Sequence, residues 1–336
     1  MEAVGVARNR RNNQLSTASI SKLRGTMRSD YLDYDEAMRL FIRDGEIRNL
    51  REHTLKYYRN ELNTFRKMLD TQGVTTLPGE ITAEMIREHV ILYMRNVQEL
   101  KISTVNTRLR AIRAFFNYLF DNNYIVTNPM KNVSLVRDRK AVIETFTRKQ
   151  LNDLLNAPDL KTFTGLRDYT LMLLLVETGI RANELVGLTL SDVRWDDSTL
   201  LIRNAKGYKQ RLVPLSAIMK DHLRRYISIR GGIPDCDALF VTIDETPLAK
   251  RQVQNRISQY GKEAHIDGVR CSPHTFRHTF SRMSVENGAG IFELQAILGH
   301  TTMEMVKTYV NLFSDNIKEK HRKFSPLNSL KKRKNI

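Results

Sequence analysis

The chain has 336 residues, with 54 Lys and Arg against 37 Asp and Glu, a formal charge of +17. That length allows two domains of ordinary size, and so large a positive surplus points to a polyanionic partner, of which nucleic acid is the commonest. The two cysteines, Cys236 and Cys271, lack metal-ligand spacing and argue against a disulfide scaffold; the longest apolar run, Leu171 to Val176, is too short to span a membrane, and the basic, polar N-terminus lacks the apolar core of a secretory leader. A cytoplasmic, nucleoid-associated chain with reduced thiols and no membrane partner is the expectation.

Residues 1–29 are rich in Arg, Asn and Ser and poor in bulky apolar groups, which predicts a basic flexible arm, either against DNA backbone or solvated. Three helical stripes follow. Leu55, Tyr58, Leu62, Phe65 and Leu69 recur at three and four, with Gly73 as a stop. Met85, Ile86, Val90 and Tyr93 form a second stripe behind Thr82, a candidate N-cap. Val105, Leu109, Ile112, Phe116 and Leu119 form a third behind Ser103. Arg108, Arg110 and Arg113 flank this last stripe, either as phosphate contacts or as an ordinary solvated face. Residues 30–128 therefore read as an all-helical DNA-binding domain. Asn128-Pro129 ends it, and the polar, charged stretch within 129–146 reads as a linker.

A second domain opens at Thr147, whose partner Gln150 three residues on makes a capping-box signature. A helix over Leu151 to Asn156 follows, then a strongly apolar helix from Leu166 to Glu177 that stops at Gly179. The stretch TGIRANELVGL reads as a turn leading into a short helix. In STLLIRNAKGYKQRLVPL, two apolar strands surround Lys206-Gly207, a β-hairpin pattern. A further strand is expected at Ala238 to Ile243, and helices over Leu248 to Ala264 and from His274 onward. The fold class is mainly α with a small β-sheet. The KKRK end makes 314–336 a basic tail, bound to DNA or solvated.

The segment SPHTFRHTF raises the question of chemistry. His274 and His278 stand four apart and share a helix face, the spacing of paired zinc histidines. The place of the glutamate such a site needs as general base holds Thr275, and Arg277 would set a fixed positive charge beside the cation. An arginine with a histidine suits an anion better, because guanidinium offers a rigid fork of donors to phosphate oxygens. No metal and no cofactor is expected. Elsewhere, Arg181 lies in TGIRANEL, Lys206 at the hairpin tip, His300 in LGH and Tyr309 in TTMEMVKTYVNL. Taken singly, Arg181 is a surface turn residue, Lys206 turn chemistry, His300 a helix cap and Tyr309 a core aromatic. Taken together and in order, they form a set.

That ordered set resembles the tyrosine recombinase family, also called phage integrases. The resemblance covers 147–313 as the catalytic domain and, more loosely, 30–128 as the core-binding domain. It implies a two-domain clamp, an all-helical domain plus an α+β catalytic domain. It implies that Arg181 and Arg277 clamp the scissile phosphate, Lys206 reaches the cut strand, His274 and His300 complete the pocket, and Tyr309 is the nucleophile. Glu184 falls where the family often has a supporting acid, while His278 falls outside the set and reads as structural. Asn183 stands where related motifs commonly carry a small hydroxyl residue, and SRMSVENGAG is a looser match than its flanks. The implied function is site-specific DNA recombination through a 3′-phosphotyrosine, on double-stranded DNA with short inverted sites, by a homo-oligomer that is tetrameric at a Holliday junction. In the family, the segment carrying Leu312, Phe313 and Ile317 often docks on a neighbouring subunit. The alternative is a DNA-binding regulator or repressor of a phage or mobile element on the same scaffold, without strand exchange. A topoisomerase sharing the chemistry is a third reading.

Overall fold

The structure is a computed structural model of the chain and describes residues 32–138, 143–203 and 210–299. Lys206, His300 and Tyr309, with the arm, the C-terminal tail and the segment holding Leu312, Phe313 and Ile317, lie outside the described residues. The chain divides into two compact units, Met1–Ala141 and Val142–Ile336.

The described part of the first unit is helical. Helix α1 (Tyr34–Ile47) starts where the Asp33 carboxylate accepts the Glu36 amide at 2.7 Å, an N-cap that satisfies an orphan donor. Helix α2 (Glu52–Thr71) buries Leu55, Leu62, Phe65 and Leu69 on the expected stripe, and Gly73 follows with φ +65°. Helix α3 begins at Ala83–Met85, capped by Thr82 as expected, and continues with π-type hydrogen bonding over Ile86–Val97. Helix α4 (Ile102–Asp121) is entered at Lys101 rather than at Ser103, because the Thr104 and Val105 amides close on the Lys101 carbonyl. Their apolar faces meet in one core with a ring cluster of Tyr34, Phe41, Phe65, Phe115 and Phe116. The Tyr34 hydroxyl donates to the Leu62 carbonyl at 2.7 Å, so its burial leaves no unpaired polar group.

The segment expected as a linker is shared between the two cores. Met130 and Val133 are buried in the first, and Phe146 in the second. An apolar residue in a polar stretch can find a core beside it, and these three do.

The second unit packs helices around a small antiparallel sheet. Helix α5 (Arg148–Asn156) carries the predicted capping box, with Thr147 and Gln150 bonded reciprocally. Helix α6 (Phe163–Thr178) is apolar on most sides and runs through the centre of the core. A short helix, α7 (Ala182–Val186), follows. Strands β1 (Val193–Arg194), β2 (Thr199–Ile202) and β3 (Arg211–Pro214) form a sheet in the order β1-β2-β3, with Leu200 opposite Val213 and Ile202 opposite Arg211. Helices α8 (Ala217–Arg230), α9 (Lys250–Glu263), α10 (Pro273–Glu286) and α11 (Ile291–Leu298) complete the described unit.

One expected strand is absent. Residues 238–243 form isolated bridges, Thr189 to Ala238 and Val241 to Pro247, rather than a strand. Leu239, Phe240 and Val241 are all buried; the Leu239 amide donates to the Leu188 carbonyl, the Phe240 carbonyl accepts the Leu248 amide, and the Val241 carbonyl accepts the Arg167 guanidinium. The apolar stretch from Ala238 to Val241 marks burial, not a ladder, and Ile243 is exposed. Helix α8 carries a stripe of Met219, Leu223 and Tyr226 that ends in the buried Arg230, whose guanidinium donates to the carbonyls of Ala238, Gly231 and Cys236.

Candidate active site

Arg181 is set by a helix stop. Helix α6 ends at Gly179, which is left-handed at φ +58° and whose amide bonds the Leu175 carbonyl. A Cβ there would collide with the Phe280 ring. The chain turns through the buried Ile180, and Arg181 becomes the N-cap of α7 in extended conformation. Glu184, at the third position of α7, reaches back: its carboxylate accepts the Arg181 amide at 2.9 Å and the Arg181 guanidinium at 3.0 Å. The Glu184 side chain is 1% exposed and the Arg181 side chain 30%, so the acid is sealed while the guanidinium still reaches solvent.

Strand β3 supplies a second arginine to the same acid. Arg211 donates to both Glu184 oxygens, at 3.1 and 2.8 Å, a fork-on-fork pair, and its Nε donates to the Ile297 carbonyl at 2.7 Å. Burial would push the Glu184 carboxyl up, but the bonds and charges of Arg211 and Arg181 outweigh it and hold the group below the ordinary carboxylate value.

Helix α10 carries the third piece. Ser272 caps it, accepting the Thr275 amide, and Pro273 occupies the first turn, where its missing amide costs nothing. Arg277 is 4% exposed. Its two terminal nitrogens donate to the Gly179 carbonyl at 2.7 Å and the Leu298 carbonyl at 2.9 Å, tying the α6–α7 turn to the end of α11. His274, one turn earlier, is exposed. Partial desolvation, followed by the charges of Arg277, Lys250, Arg181 and Arg270, holds its imidazole below the ordinary 6.5. His278 is lowered by burial and then by His274 and Arg277. Among the described residues no three His, Cys, Asp or Glu side chains gather as a metal site needs.

The described members of the predicted set therefore come together. Arg181, Glu184, His274 and Arg277 surround one corner of the second unit, and α11 ends there at Gly299, directly before His300 in the chain. Sequence reading passed over Arg211, Lys250 and Arg270. Arg211 stood in the quoted hairpin stretch as one more basic residue, and only the fold shows which acid it meets. The arginines of the first unit divide. Arg108, 11% exposed in its side chain, pairs with Glu61 at 2.8 Å, and Arg113 donates to the Val133 carbonyl at 2.6 Å, so both brace their own domain; Arg110 is exposed.

Comparison with known proteins places these observations. Residues 144–315 match the model described as "Phage integrase family", and residues 38–125 match "Phage integrase, N-terminal SAM-like domain". The tyrosine recombinase XerC of Thermodesulfovibrio yellowstonii is 31% identical over 289 residues, covering 82% of this chain and 91% of that protein. The tyrosine recombinase XerD of Pseudomonas aeruginosa is 30% identical over 284 residues, covering 83% and 93%. In fold, the chain is similar to the XerH site-specific recombinase bound to palindromic difH substrate, with a TM-score of 0.69 at 19% identity, covering 89% of this chain and 86% of that one. It is likewise similar to a lambda integrase tetramer bound to a Holliday junction, with a TM-score of 0.70 at 18% identity, covering 89% and 81%. No helix among the described residues is long and apolar enough to cross a membrane.

Proposed function

The chain belongs to the phage integrase, or tyrosine recombinase, family, and on that premise we propose that it is a site-specific DNA recombinase in which Tyr309 attacks a phosphodiester held by Arg181 and Arg277. The single observation that carries this reading is the convergence of Arg181, Glu184, His274 and Arg277, from two motifs almost a hundred residues apart, on one cationic corner that receives the chain just before His300.

The chemistry follows from the charges. Attack on a phosphodiester creates a five-coordinate transition state with more charge on the non-bridging oxygens. Guanidiniums aimed at those oxygens stabilise it more than the ground state, a task that metal ions perform in many nucleases. The Tyr309 oxygen bonds to phosphorus as the bond from phosphorus to the 5′ oxygen breaks. The phenol proton passes to a pocket histidine, His274 or His300, and Lys206 delivers a proton to the leaving 5′ oxygen. The lowering of His274 suits the accepting role, because it favours the neutral imidazole. The products are a 3′-phosphotyrosine and a 5′-hydroxyl. The new bond keeps the phosphoester energy, so a second 5′-hydroxyl reverses the step without ATP.

The DNA partner is a duplex with short inverted sites, on which copies of the chain assemble as a tetramer. The homologous complexes with a palindromic site and with a Holliday junction support this part. Arg110, exposed on α4, is the DNA-backbone contact favoured in the first unit. Nicked suicide duplexes tiled from the DNA flanking the gene test the proposal. Wild type forms a denaturation-resistant adduct with one of them, in EDTA as without it, and Tyr309→Phe forms none. Tight site-specific binding by wild type without any adduct instead identifies a regulator.

A further inference from the structure

Arg211 is not among the predicted site residues, yet its contacts join two of the motifs that carry them. Its forked end takes both oxygens of Glu184, the acid that holds Arg181, and its Nε holds the Ile297 carbonyl in the last turn of α11. Its side chain is 9% exposed, and the carboxylate it meets 1%, so water competes weakly for either bond. Gly299 is fitted to it. The residue is left-handed at φ +63°, and a Cβ there would stand 2.9 Å from one terminal nitrogen of Arg211 and 3.0 Å from its central guanidinium carbon. Arg211 opens β3, five residues after Lys206 in the chain.

We propose that Arg211 is a positioning residue for strand cleavage: through Glu184 it fixes the Arg181 guanidinium, and through Ile297 it fixes the turn that leads into His300, so that the two halves of the phosphate pocket keep one spacing. This rests on the strand-exchange reading above. A neutral side chain at 211 leaves Arg181 as the sole cation on a sealed carboxylate, which draws that guanidinium inward from the phosphate. It also releases the Ile297 carbonyl. A lysine keeps the charge but, having one nitrogen, cannot hold both carboxylate oxygens and the carbonyl in a fixed plane.

The test uses the full chain and the nicked duplex that traps wild type. Single-turnover adduct formation is measured at saturating protein, beside duplex affinity and thermal melting, for Arg211→Met, Arg211→Lys, Gly299→Ala and Glu184→Gln. The expected result for Arg211→Met is a cleavage rate lower by about 10²-fold, the scale of losing one aligned transition-state donor, with affinity within about threefold of wild type. Arg211→Lys falls between the two, and Gly299→Ala, which pushes the guanidinium aside, shares the rate defect. Adding Arg211→Met to Glu184→Gln costs far less than the product of the two separate effects, because both act on Arg181. A merely structural role moves melting and affinity but leaves the rate of the folded, saturated protein at wild-type level; that result, in Arg211→Met or in Arg211→Lys if the first does not fold, overturns the proposal. Failure of wild type to form any Tyr309-dependent adduct overturns the strand-exchange reading and this one with it.

Discussion

At the scale of single residues, the site works by matching fixed cations to one sealed acid. Arg181 is anchored by a carboxylate that is itself buried, which leaves one edge of the guanidinium for a ligand. Replacing it by lysine removes the planar fork that fits two phosphate oxygens. We expect Arg181→Lys to slow single-turnover cleavage by about 10²–10³-fold while changing duplex affinity much less, as read by trapping and binding assays side by side; an equal fall in both contradicts a transition-state role. The histidines give a second handle. His274 and His278 are both held below 6.5, so as pH drops the unfolded chain takes up these protons first. Their contribution to stability is present above pH 6.5 and is lost as pH falls through the folded values. Proton NMR titration of the free protein should place both ring midpoints below 6.5, and a midpoint above it for His274 contradicts the partial burial and cationic surroundings of that ring. Arg181, Glu184, His274 and Arg277 were legible because they sit in short ordered motifs. Arg211, Lys250 and Arg270 were not, because in a chain with 54 basic residues a lone Arg or Lys carries no mark of the acid or ring it will meet.

At the scale of elements, the site depends on where helices stop. Gly179 ends α6 in the left-handed region against the Phe280 ring, and the next turn delivers Arg181. Gly179→Ala adds a strained backbone and a clash in the core, and we expect it to cost about 1–3 kcal/mol, seen as a lower denaturant midpoint with an unchanged slope. A neutral result contradicts the close approach of α6 and α10. The stops, caps and long stripes were readable: Gly179, Thr82, the Thr147–Gln150 box and the faces of α2 and α4 all follow from helical period and capping chemistry. Helix α1 was missed because charged residues interrupt its stripe, and α8 because its buried face ends in Arg230, an arginine satisfied by three carbonyls. The run at 238–243 misled in the opposite sense. Leu239, Phe240 and Val241 pack in the core while their backbone bonds to Leu188, Leu248 and the Arg167 side chain, and composition cannot separate that from a strand.

At the scale of the whole molecule, two compact units carry a surplus of +17 charges. Neutralising phosphates releases counterions, with log K falling by roughly 0.9 for each phosphate contact per unit of log salt. Duplex affinity measured from low to physiological salt should therefore fall steeply and linearly on that scale, and a flat response contradicts a backbone-gripping protein. The sequence-level case for two domains was strong because hydrophobic period and charge change together near 129–146, although both cores recruit residues from that stretch. The covalent step is tested by locating the bond. The trapped complex is digested with protease and nuclease, and the peptide that retains a nucleotide is sequenced by mass spectrometry. A 3′-phosphate ester on the Tyr309 peptide is the expected result; a nucleotide on any other tyrosine, or on a serine, rules out Tyr309 as the nucleophile.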